Sequence, residues 1–349
     1  MIPWIGALLQ PLFGPFRLLG SRGLLIGVGA SLAAFLTWWL LPRLWGHLPT
    51  DQVRAHAVGA QESAGKPVGA GLIFTSLYLL ISLLFVPFNV RAVEILGCVL
   101  LAMIEGFLDD RVRGGWPEYR LGVADFTVSL LGALALSQLQ AVQIWLPVAK
   151  TTLLVSPWLY IPAATALIWL TINATNCTDG VDGLSGSLAL IALFYLGVIL
   201  YAIVGQPQVA HYLQVPHSEQ AVTYAMLAFP MAGCLAGYLW YNAHPSAVLM
   251  GDAGSRPIGF LLGTLVLATG NPILILVVAG VVLANGATGL LKVSLMRFFR
   301  IGIMRTVRYP LHDHARQNLG WSNSQVLLRF VLLQAIGTPL LLLLVLKIR

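Results

Sequence analysis

The composition of this 349-residue chain excludes a soluble globular domain, because 58% of its residues are hydrophobic, 9% are charged and the mean hydropathy is +0.84. The net charge of +7 favours anionic lipids and anionic substrates, and we expect no nucleic-acid partner. The long continuous apolar runs exclude the alternating strands of an outer-membrane barrel. We therefore predict an all-α integral membrane protein with a single polytopic domain over residues 1–349.

About ten apolar runs are long enough to cross a bilayer, which takes about 20 mostly apolar residues each. The predicted spans are 23–46, 69–88, 91–108, 121–140, 157–173, 183–204, 219–240, 257–270, 272–296 and 323–346. Ahead of them, residues 1–20 form an apolar segment broken by Pro11 and Pro15. This segment is too short to span, so we expect it to lie in the membrane interface.

The lysines and arginines predict the orientation of the spans. The connections on one side are 47–68, 109–120, 174–182, 241–256 and 297–322. They hold about twice as many lysines and arginines as the opposite connections and both termini together, so we predict that they are cytoplasmic. Every glycine–acid cluster of the chain falls in these connections. We therefore predict one active site that faces the cytoplasm.

The most polar of these clusters, residues 173–186, places two asparagines, two aspartates and three glycines between two apolar spans. Asp179 and Asp182 are three residues apart, so both would lie on one face if the next helix began there. Amides and carboxylates beside glycines at a helix N-terminus suit a metal ion and phosphate groups. The alternative is that Asn176 or Asp179 is only a helix cap in a tight turn.

Two further acid clusters lie on the same predicted side. Asp109 and Asp110 end the third span, where they could contact a metal ion or a substrate phosphate, or accept a proton. The alternative for this pair is a solvated helix end. Gly251 and Asp252 precede the eighth span, where Asp252 could be an oxygen ligand of Mg²⁺ and the helix N-terminus could hold an anion. The alternative there is an ordinary capped turn.

His312 and His314 lie in the long predicted loop 297–322. Two histidines without a supporting cysteine make a weak zinc site, so we expect them to donate to phosphate oxygens. A wet interfacial loop is the alternative. Aspartates, Mg²⁺ and basic residues at a membrane boundary indicate transfer of a phosphoryl-linked group to a lipid acceptor. A transporter of anionic solutes is disfavoured, because the chain shows no internal repeat and the acids lie at span ends.

These motifs resemble the polyprenyl-phosphate N-acetylhexosamine-1-phosphate transferases. The stretches that carry the resemblance are 105–110, 173–186, 240–255 and 310–322. Within that superfamily they are most similar to the phospho-N-acetylmuramoyl-pentapeptide transferases, because the two histidines are followed by Gly320, Trp321 and Ser322. The resemblance implies a ten-helix enzyme of the bacterial inner membrane, often a homodimer. Such an enzyme moves phospho-MurNAc-pentapeptide from UDP-MurNAc-pentapeptide to undecaprenyl phosphate with Mg²⁺, giving lipid I and UMP.

The resemblance also implies roles for residues at matching positions. Asp252 would be a Mg²⁺ ligand, together with Asp179 near the diphosphate. Asp109 would deprotonate or orient the lipid phosphate, and Asp110 and His312 would complete the catalytic group. The implied substrate-binding residues are Asn176, Asp182, Asn242, Leu249, Gly251, Lys66, Arg120 and His314.

The chain departs from the family pattern around the nucleotide-sugar pocket. In the loop at 63–71, both usual threonines are absent and Lys66 stands at a shifted position. Asp313 replaces the middle residue of a triple histidine, Leu249 stands where an aromatic residue commonly stacks on uracil, and Lys292 lies near a usual glutamine. The metal-site acids remain. The alternative hypothesis is therefore a related transferase for another UDP-N-acetylhexosamine, as in teichoic-acid or O-antigen initiation.

Overall fold

The computed structural model describes residues 1–51, 64–112, 114–147, 151–303 and 306–347, and these residues are mostly helical. The loop predicted at 63–71 is therefore described from residue 64 onward. The helices are α1 Ile2–Leu9, α2 Arg22–Leu44, α3 Gly71–Phe85, α4 Val90–Arg111, α5 Glu118–Ser137, α6 Pro157–Thr178, α7 Leu184–Val204, α8 Pro207–Tyr212, α9 Gln220–Asn242, α10 Asp252–Ala268, α11 Leu274–Val278, α12 Gly280–Phe299, α13 Leu311–Gln317 and α14 Asn323–Lys347.

The helices confirm the predicted class of all-α membrane protein. Within the described part of the chain, seven helices are long and apolar enough to cross a membrane, namely α2, α5, α6, α7, α9, α12 and α14. The other three predicted spans coincide with α3, a shorter apolar helix, and with α4 and α10. The predicted interfacial segment forms α1 and the 3₁₀ segment Gly14–Gly20.

The predicted end of the fifth span and the predicted start of the eighth span, both beside acids, are wrong. α6 continues to Thr178, because no glycine or proline interrupts the chain between residues 163 and 179. α7 begins only at Leu184, so Asp179 and Asp182 lie in the connection between these helices and do not share the first turn of the second. α10 begins at Asp252, five residues earlier than predicted, which makes this aspartate the first residue of a helix.

α10 is the central helix of the bundle. Its residues 253–267 are buried on all sides, as is typical of a helix that packs inside a helical core. Neighbouring helices approach its backbone at glycines. A Cβ atom added at Gly259 would lie 2.5 Å from Cα of Ile172 on α6, and one at Gly106 on α4 would lie 2.3 Å from the carbonyl oxygen of Asp252. These close approaches place the start of α10 against the ends of α4 and α6.

A short β-hairpin, which the sequence analysis did not predict, lies at the other end of α10. Strand β1 (Val142–Trp145) pairs antiparallel with β2 (Thr152–Val155), in the connection between α5 and α6. The indole N–H of Trp145 donates to the carbonyl oxygen of Thr269 (2.9 Å), and its backbone N–H donates to that of Gly270 (2.9 Å). The hairpin is therefore attached to the residues that follow α10.

Candidate active site

Asp110 connects the end of α4 to the first turn of α10. Its Oδ1 accepts from the backbone N–H of Asp252 (2.9 Å) and its Oδ2 from that of Ala253 (3.0 Å). A carboxylate in this position stabilises the N–H groups that a helix start leaves unpaired. Gly251 leaves room for it, because a Cβ atom at this position, where φ is +70°, would lie 2.4 Å from Oδ2 of Asp110. The contact observed for Asp110 is thus a helix-capping one, and its catalytic role stays a prediction.

The carboxylate of Asp252 is held by side chains from two helices. Its Oδ1 accepts from Nδ2 of Asn176 on α6 (2.8 Å). Its Oδ2 accepts from both Nε (2.9 Å) and Nη2 (2.7 Å) of Arg256, one turn further along α10. The amide of Asn176 also donates to Oγ of Ser255 (3.0 Å). The structure therefore brings together Asn176 and Asp252, two predicted site residues from motifs that are far apart in the sequence.

Arg256 extends this contact into the interior of the bundle. Its Nη1 pairs with Oδ1 of Asp125 on α5 at 2.5 Å, and both residues are buried. Nδ2 of Asn173 donates to the other oxygen of Asp125 (3.2 Å). Our sequence analysis named neither Asp125 nor Arg256 as a site residue. An acid inside an apolar span, and an arginine four residues after Asp252, were the available signals. We call Asp110, Asp125, Asn176, Asp252 and Arg256 the buried cluster.

Asp109 faces the turn that follows α4. Its Oδ1 accepts a hydrogen bond from the backbone N–H of Trp116. Gly115, which has φ +75°, lies directly against the carboxylate. The guanidinium group of Arg120 stacks over the ring of Trp116, 3.7 Å from its centroid. Asp109 and Arg120, two predicted site residues, therefore share one neighbour, because Trp116 bonds to Asp109 through its backbone and contacts Arg120 through its ring.

Asp182 is surrounded by hydrogen-bond donors from the loop between α9 and α10. Ser246 donates to it from Oγ (2.8 Å) and from its backbone N–H (3.1 Å), and Nδ1 of His244 lies 3.0 Å from Oδ2. Nζ of Lys66 donates to Oγ of the same serine (3.0 Å). Burial raises the pKa of Asp182, but the hydrogen bonds from Ser246 and His244 outweigh it, so the net pKa is below the usual range. We call Lys66, Asp182, His244 and Ser246 the loop cluster.

Asn242 and Leu249 hold the loops around this cluster. The buried Asn242 accepts from the backbone N–H of Gly183 (2.8 Å) and donates to the carbonyl oxygen of Val248 (2.8 Å). The N–H of Leu249 donates to the carbonyl oxygen of Pro67 (2.8 Å), one residue after Lys66. These bonds fix the 64–70 segment against the loop that precedes α10. The sequence analysis missed Ser246 and His244, although both lie in the stretch 240–255 that carries the family resemblance.

His312 is buried against the end of α6. Asn285, in the π-helical turn Leu283–Ala287 of α12, accepts from the N–H of His312 (2.9 Å) and donates from its amide to Nδ1 (3.1 Å). Because Nδ1 accepts this bond, the proton of a neutral imidazole lies on Nε2. Nε2 faces Gly180, where an added Cβ atom would lie 2.4 Å away. Burial lowers the pKa of His312 to about 4, so the ring is neutral at neutral pH.

The second histidine of the loop does not face the same site. Nδ1 of His314 accepts from the backbone N–H of Arg308 (3.3 Å), away from the partners of His312. Asp313, between the two histidines, lies 3.8 Å from Nη1 of Arg316. The structure therefore separates the predicted pair, which argues against a shared metal ion at His312 and His314.

The aspartates proposed as metal ligands lie at the ends of α6 and α10. Asp179 follows the last turn of α6, and its N–H donates to the carbonyl oxygen of Asn176 (3.1 Å), which places it one turn from the partner of Asp252. In the described part of the chain, no group of three or more His, Cys, Asp or Glu side chains could hold a metal ion. Mg²⁺ commonly uses only one or two carboxylates together with substrate phosphates, and oxygen donors of this kind are present here.

Comparisons with known proteins show the family of the chain. Residues 92–270 match glycosyl transferase family 4. The phospho-N-acetylmuramoyl-pentapeptide-transferase of Treponema pallidum (strain Nichols) is 48% identical over 341 residues, which cover 97% of this chain and 94% of that protein. Proteins of the same name from Gemmatimonas aurantiaca (93% of this chain, 94% of that protein) and Ruegeria pomeroyi (80% and 79%) are each 32% identical.

The chain therefore belongs to glycosyl transferase family 4. It is an integral membrane enzyme of the phosphoglycosyltransferase class, as its similarity to these transferases shows.

Proposed function

We propose that this enzyme transfers phospho-MurNAc-pentapeptide from UDP-MurNAc-pentapeptide to undecaprenyl phosphate, giving lipid I and UMP. The observation that carries the proposal is the convergence of separate acid motifs at the start of α10, where Asp110 binds the backbone and Asn176 binds Asp252. The names of the relatives support the choice of sugar donor. The distribution of lysines and arginines supports an active site at the cytoplasmic face of a bacterial inner membrane.

The proposed reaction exchanges one phosphoryl bond for another. An oxygen of the lipid phosphate, or an intermediate nucleophile, bonds to the phosphorus that carries the sugar, and the bond from that phosphorus to the bridging oxygen breaks. The departing UMP takes that electron pair. A phosphate monoester is already largely deprotonated at neutral pH. Asp109 would therefore rarely need to accept a proton from the lipid phosphate and would mainly orient it.

We further propose that the reaction depends on Mg²⁺, with Asp252 and Asp179 as the residues that would hold the ion. When bound, such an ion neutralises the diphosphate and the charge that develops on the leaving phosphate. The contacts from Asn176 and Arg256 fix the orientation of the Asp252 carboxylate before any substrate arrives. This preorganised oxygen donor at the first residue of α10 suits a site for a phosphate-bound cation.

The remaining predicted residues would act on the substrate itself. The Nε2–H of His312, next to Gly180, would donate to a phosphate oxygen without adding a full charge. The loop cluster would select the nucleotide sugar, since Lys66 offers a cation and Asp182 offers an acceptor. Lys66 lies in the loop that departs from the family pattern. Asn242 would maintain these loops, and Arg120 would be a basic contact to the substrate diphosphate.

A turnover assay tests the proposal. Purified protein is incubated with undecaprenyl phosphate and either UDP-MurNAc-pentapeptide or UDP-GlcNAc, with Mg²⁺ or EDTA, and UMP release is measured. We expect UMP only from the muramoyl-pentapeptide donor and only with Mg²⁺. UMP from UDP-GlcNAc alone would instead identify the related transferase, and equal rates in EDTA would exclude the role of Mg²⁺.

Two variants test whether the reaction takes place at this site. We expect Asp252→Asn to lower the rate of UMP release by about 10²-fold or more, because the oriented anion is lost. Glu118→Gln, which removes a fully solvated acid at the start of α5, is the matched control and should keep the wild-type rate. Equal rates in the two variants would contradict the assignment. We also propose a homodimer, which the mass of the protein in detergent, measured by light scattering, would establish.

A further inference from the structure

A cavity of about 290 Å³ opens at the end of the bundle opposite the acids. Its walls include Arg91 from the start of α4, Gln220 from the start of α9 and Gly270, which follows the end of α10. The buried cluster instead lies at the end of α4 and the start of α10. The cavity is therefore separated from the candidate active site by the length of these helices, and the proposed transfer reaction does not use it.

The cavity combines one permanent positive charge with polar side chains, which include the imidazole of His217. Nη1 of Arg91 donates to Oε1 of Gln220 (2.6 Å), which orients the guanidinium group along the wall. Gln140, Gln143 and Ser218 are further polar residues of the lining, and none of the described lining residues is acidic. A guanidinium with neutral hydrogen-bonding partners and no competing carboxylate in the wall is the arrangement that binds phosphate groups.

The acid closest to Arg91 along α4 is bonded elsewhere. Glu94 lies one helical turn after Arg91 but is not part of the cavity wall. Its Oε2 accepts from Nε2 of Gln138, just beyond the end of α5, at 2.6 Å. The guanidinium of Arg91 therefore has a neutral partner inside the cavity, while the neighbouring carboxylate is bonded outside it.

The surface around this end of the bundle is apolar and aromatic. Trp158 in the first turn of α6 is 90% exposed, and Phe88, just before α4, is 86% exposed. Leu154 on β2 is 70% exposed. Exposed aromatic residues at the ends of membrane helices are typical of the headgroup level of a bilayer. The cavity thus opens where lipid phosphates and the first part of their acyl chains are present.

We propose that this cavity binds a phosphate group of an anionic lipid, with Arg91 as the residue that pairs with the phosphate oxygens. Gln220 holds the guanidinium in place, and the exposed apolar residues at this end of the bundle contact the acyl chains. Free phosphate shares the same recognising chemistry, so the experiment uses both forms. The site lies on the membrane face opposite the candidate active site.

Binding to the purified full-length enzyme in detergent tests the proposal. The probes are radiolabelled phosphatidic acid with two six-carbon chains, inorganic phosphate, and diacylglycerol with the same chains as the uncharged reference. We expect Arg91→Gln to weaken binding of the short-chain phosphatidic acid about tenfold or more, because a charge-assisted pair is lost. Arg22→Gln is the matched control, since Arg22 is an exposed arginine at the same end of the bundle. A Cβ atom added at its neighbour Gly23 would lie 3.0 Å from the hydroxyl oxygen of Tyr201, near the end of α7.

Each outcome decides the proposal. Binding of phosphatidic acid that depends on Arg91, with no binding of diacylglycerol, supports a lipid phosphate site. Equal and Arg91-dependent binding of inorganic phosphate supports the phosphate site with free phosphate as its ligand. Identical binding by wild type, Arg91→Gln and Arg22→Gln overturns the proposal, as does the absence of binding by every probe. Arg91→Lys keeps the charge, so its affinity for the short-chain phosphatidic acid should be within about threefold of wild type. UMP release by all variants shows that they are folded.

Discussion

The buried cluster and the loop cluster differ in how their charges are held. In the buried cluster, Arg256 joins Asp252 to Asp125 in the interior of the bundle, where little water screens the charges. In the loop cluster, Asp182 is held by hydrogen bonds from Ser246 and by the partly exposed His244. One cluster is thus fixed by the packing of helices, and the other by loops at the surface.

This difference bears on which residues of the site can change. Each member of the buried cluster is the partner of another buried charge or amide, so a single replacement leaves a group unpaired. Two of the departures from the family pattern, the loop at 63–71 (described from residue 64) and Leu249, border the loop cluster, while Lys292 and Asp313 lie on α12 and α13. We infer that the buried cluster serves the chemistry common to the family, while the loop cluster adapts the enzyme to its donor.

Removal of Arg256 should have the largest effect on stability. Arg256→Met leaves Asp125 and Asp252 without their cation, and we expect the free energy of unfolding to fall by about 3–5 kcal/mol. Thermal unfolding in detergent measures the loss. Lys66→Met in the loop cluster is the comparison and should cost about 1 kcal/mol or less. Equal losses in the two variants would remove the distinction between the clusters.

A methyl group at Gly251 should have the next largest effect. Gly251→Ala imposes a side chain where φ is +70° and where the new Cβ atom would meet Oδ2 of Asp110 at 2.4 Å. We expect a loss of about 1–3 kcal/mol in stability, together with a lower rate of UMP release because the start of α10 shifts. Gly122→Ala, in open space on α5, is the control and should be neutral or stabilising.

Acid should destabilise the protein through His312. Its pKa is about 4 in the folded protein and near 6.5 when unfolded, so the unfolded chain binds more protons between these values. The contribution of the neutral His312 to the free energy of unfolding is fully present above pH 6.5 and is lost as the pH falls towards 4. We expect the melting temperature to decline over this window and His312→Asn to flatten the decline. The exposed His211→Gln should retain the wild-type slope, and an identical slope in both variants would argue against the burial of His312.

Changes in the loop cluster should have the smallest effect. Ser246→Ala removes one donor to Asp182 and the acceptor of Lys66 but leaves the buried cluster intact. We expect KM for the UDP-sugar to rise a fewfold while kcat stays within about twofold, because the lost bonds act on binding of the donor. Steady-state kinetics with varied donor measures both values. A fall in kcat at constant KM would instead place Ser246 in the chemical step.

Local pattern predicted the membrane class and part of each cluster, but not the bonds within them. The apolar runs predicted every helix that could span a membrane, since burial in lipid requires long continuous apolar helices. The motifs also indicated Asn176 and Asp252, which are in contact. Asp125 was missed, because one acid in an apolar run carries no information about its partner.

The sequence by itself determined the membrane-spanning helices and the family, because these depend on hydrophobic length and on short motifs. The tertiary structure alone decided that Asp110 binds the first turn of α10, that His312 and His314 diverge, and that Arg256 joins two acids. These contacts depend on which helix ends pack together. Close approaches at Gly106 and Gly259 decide that packing between residues that are far apart in the sequence.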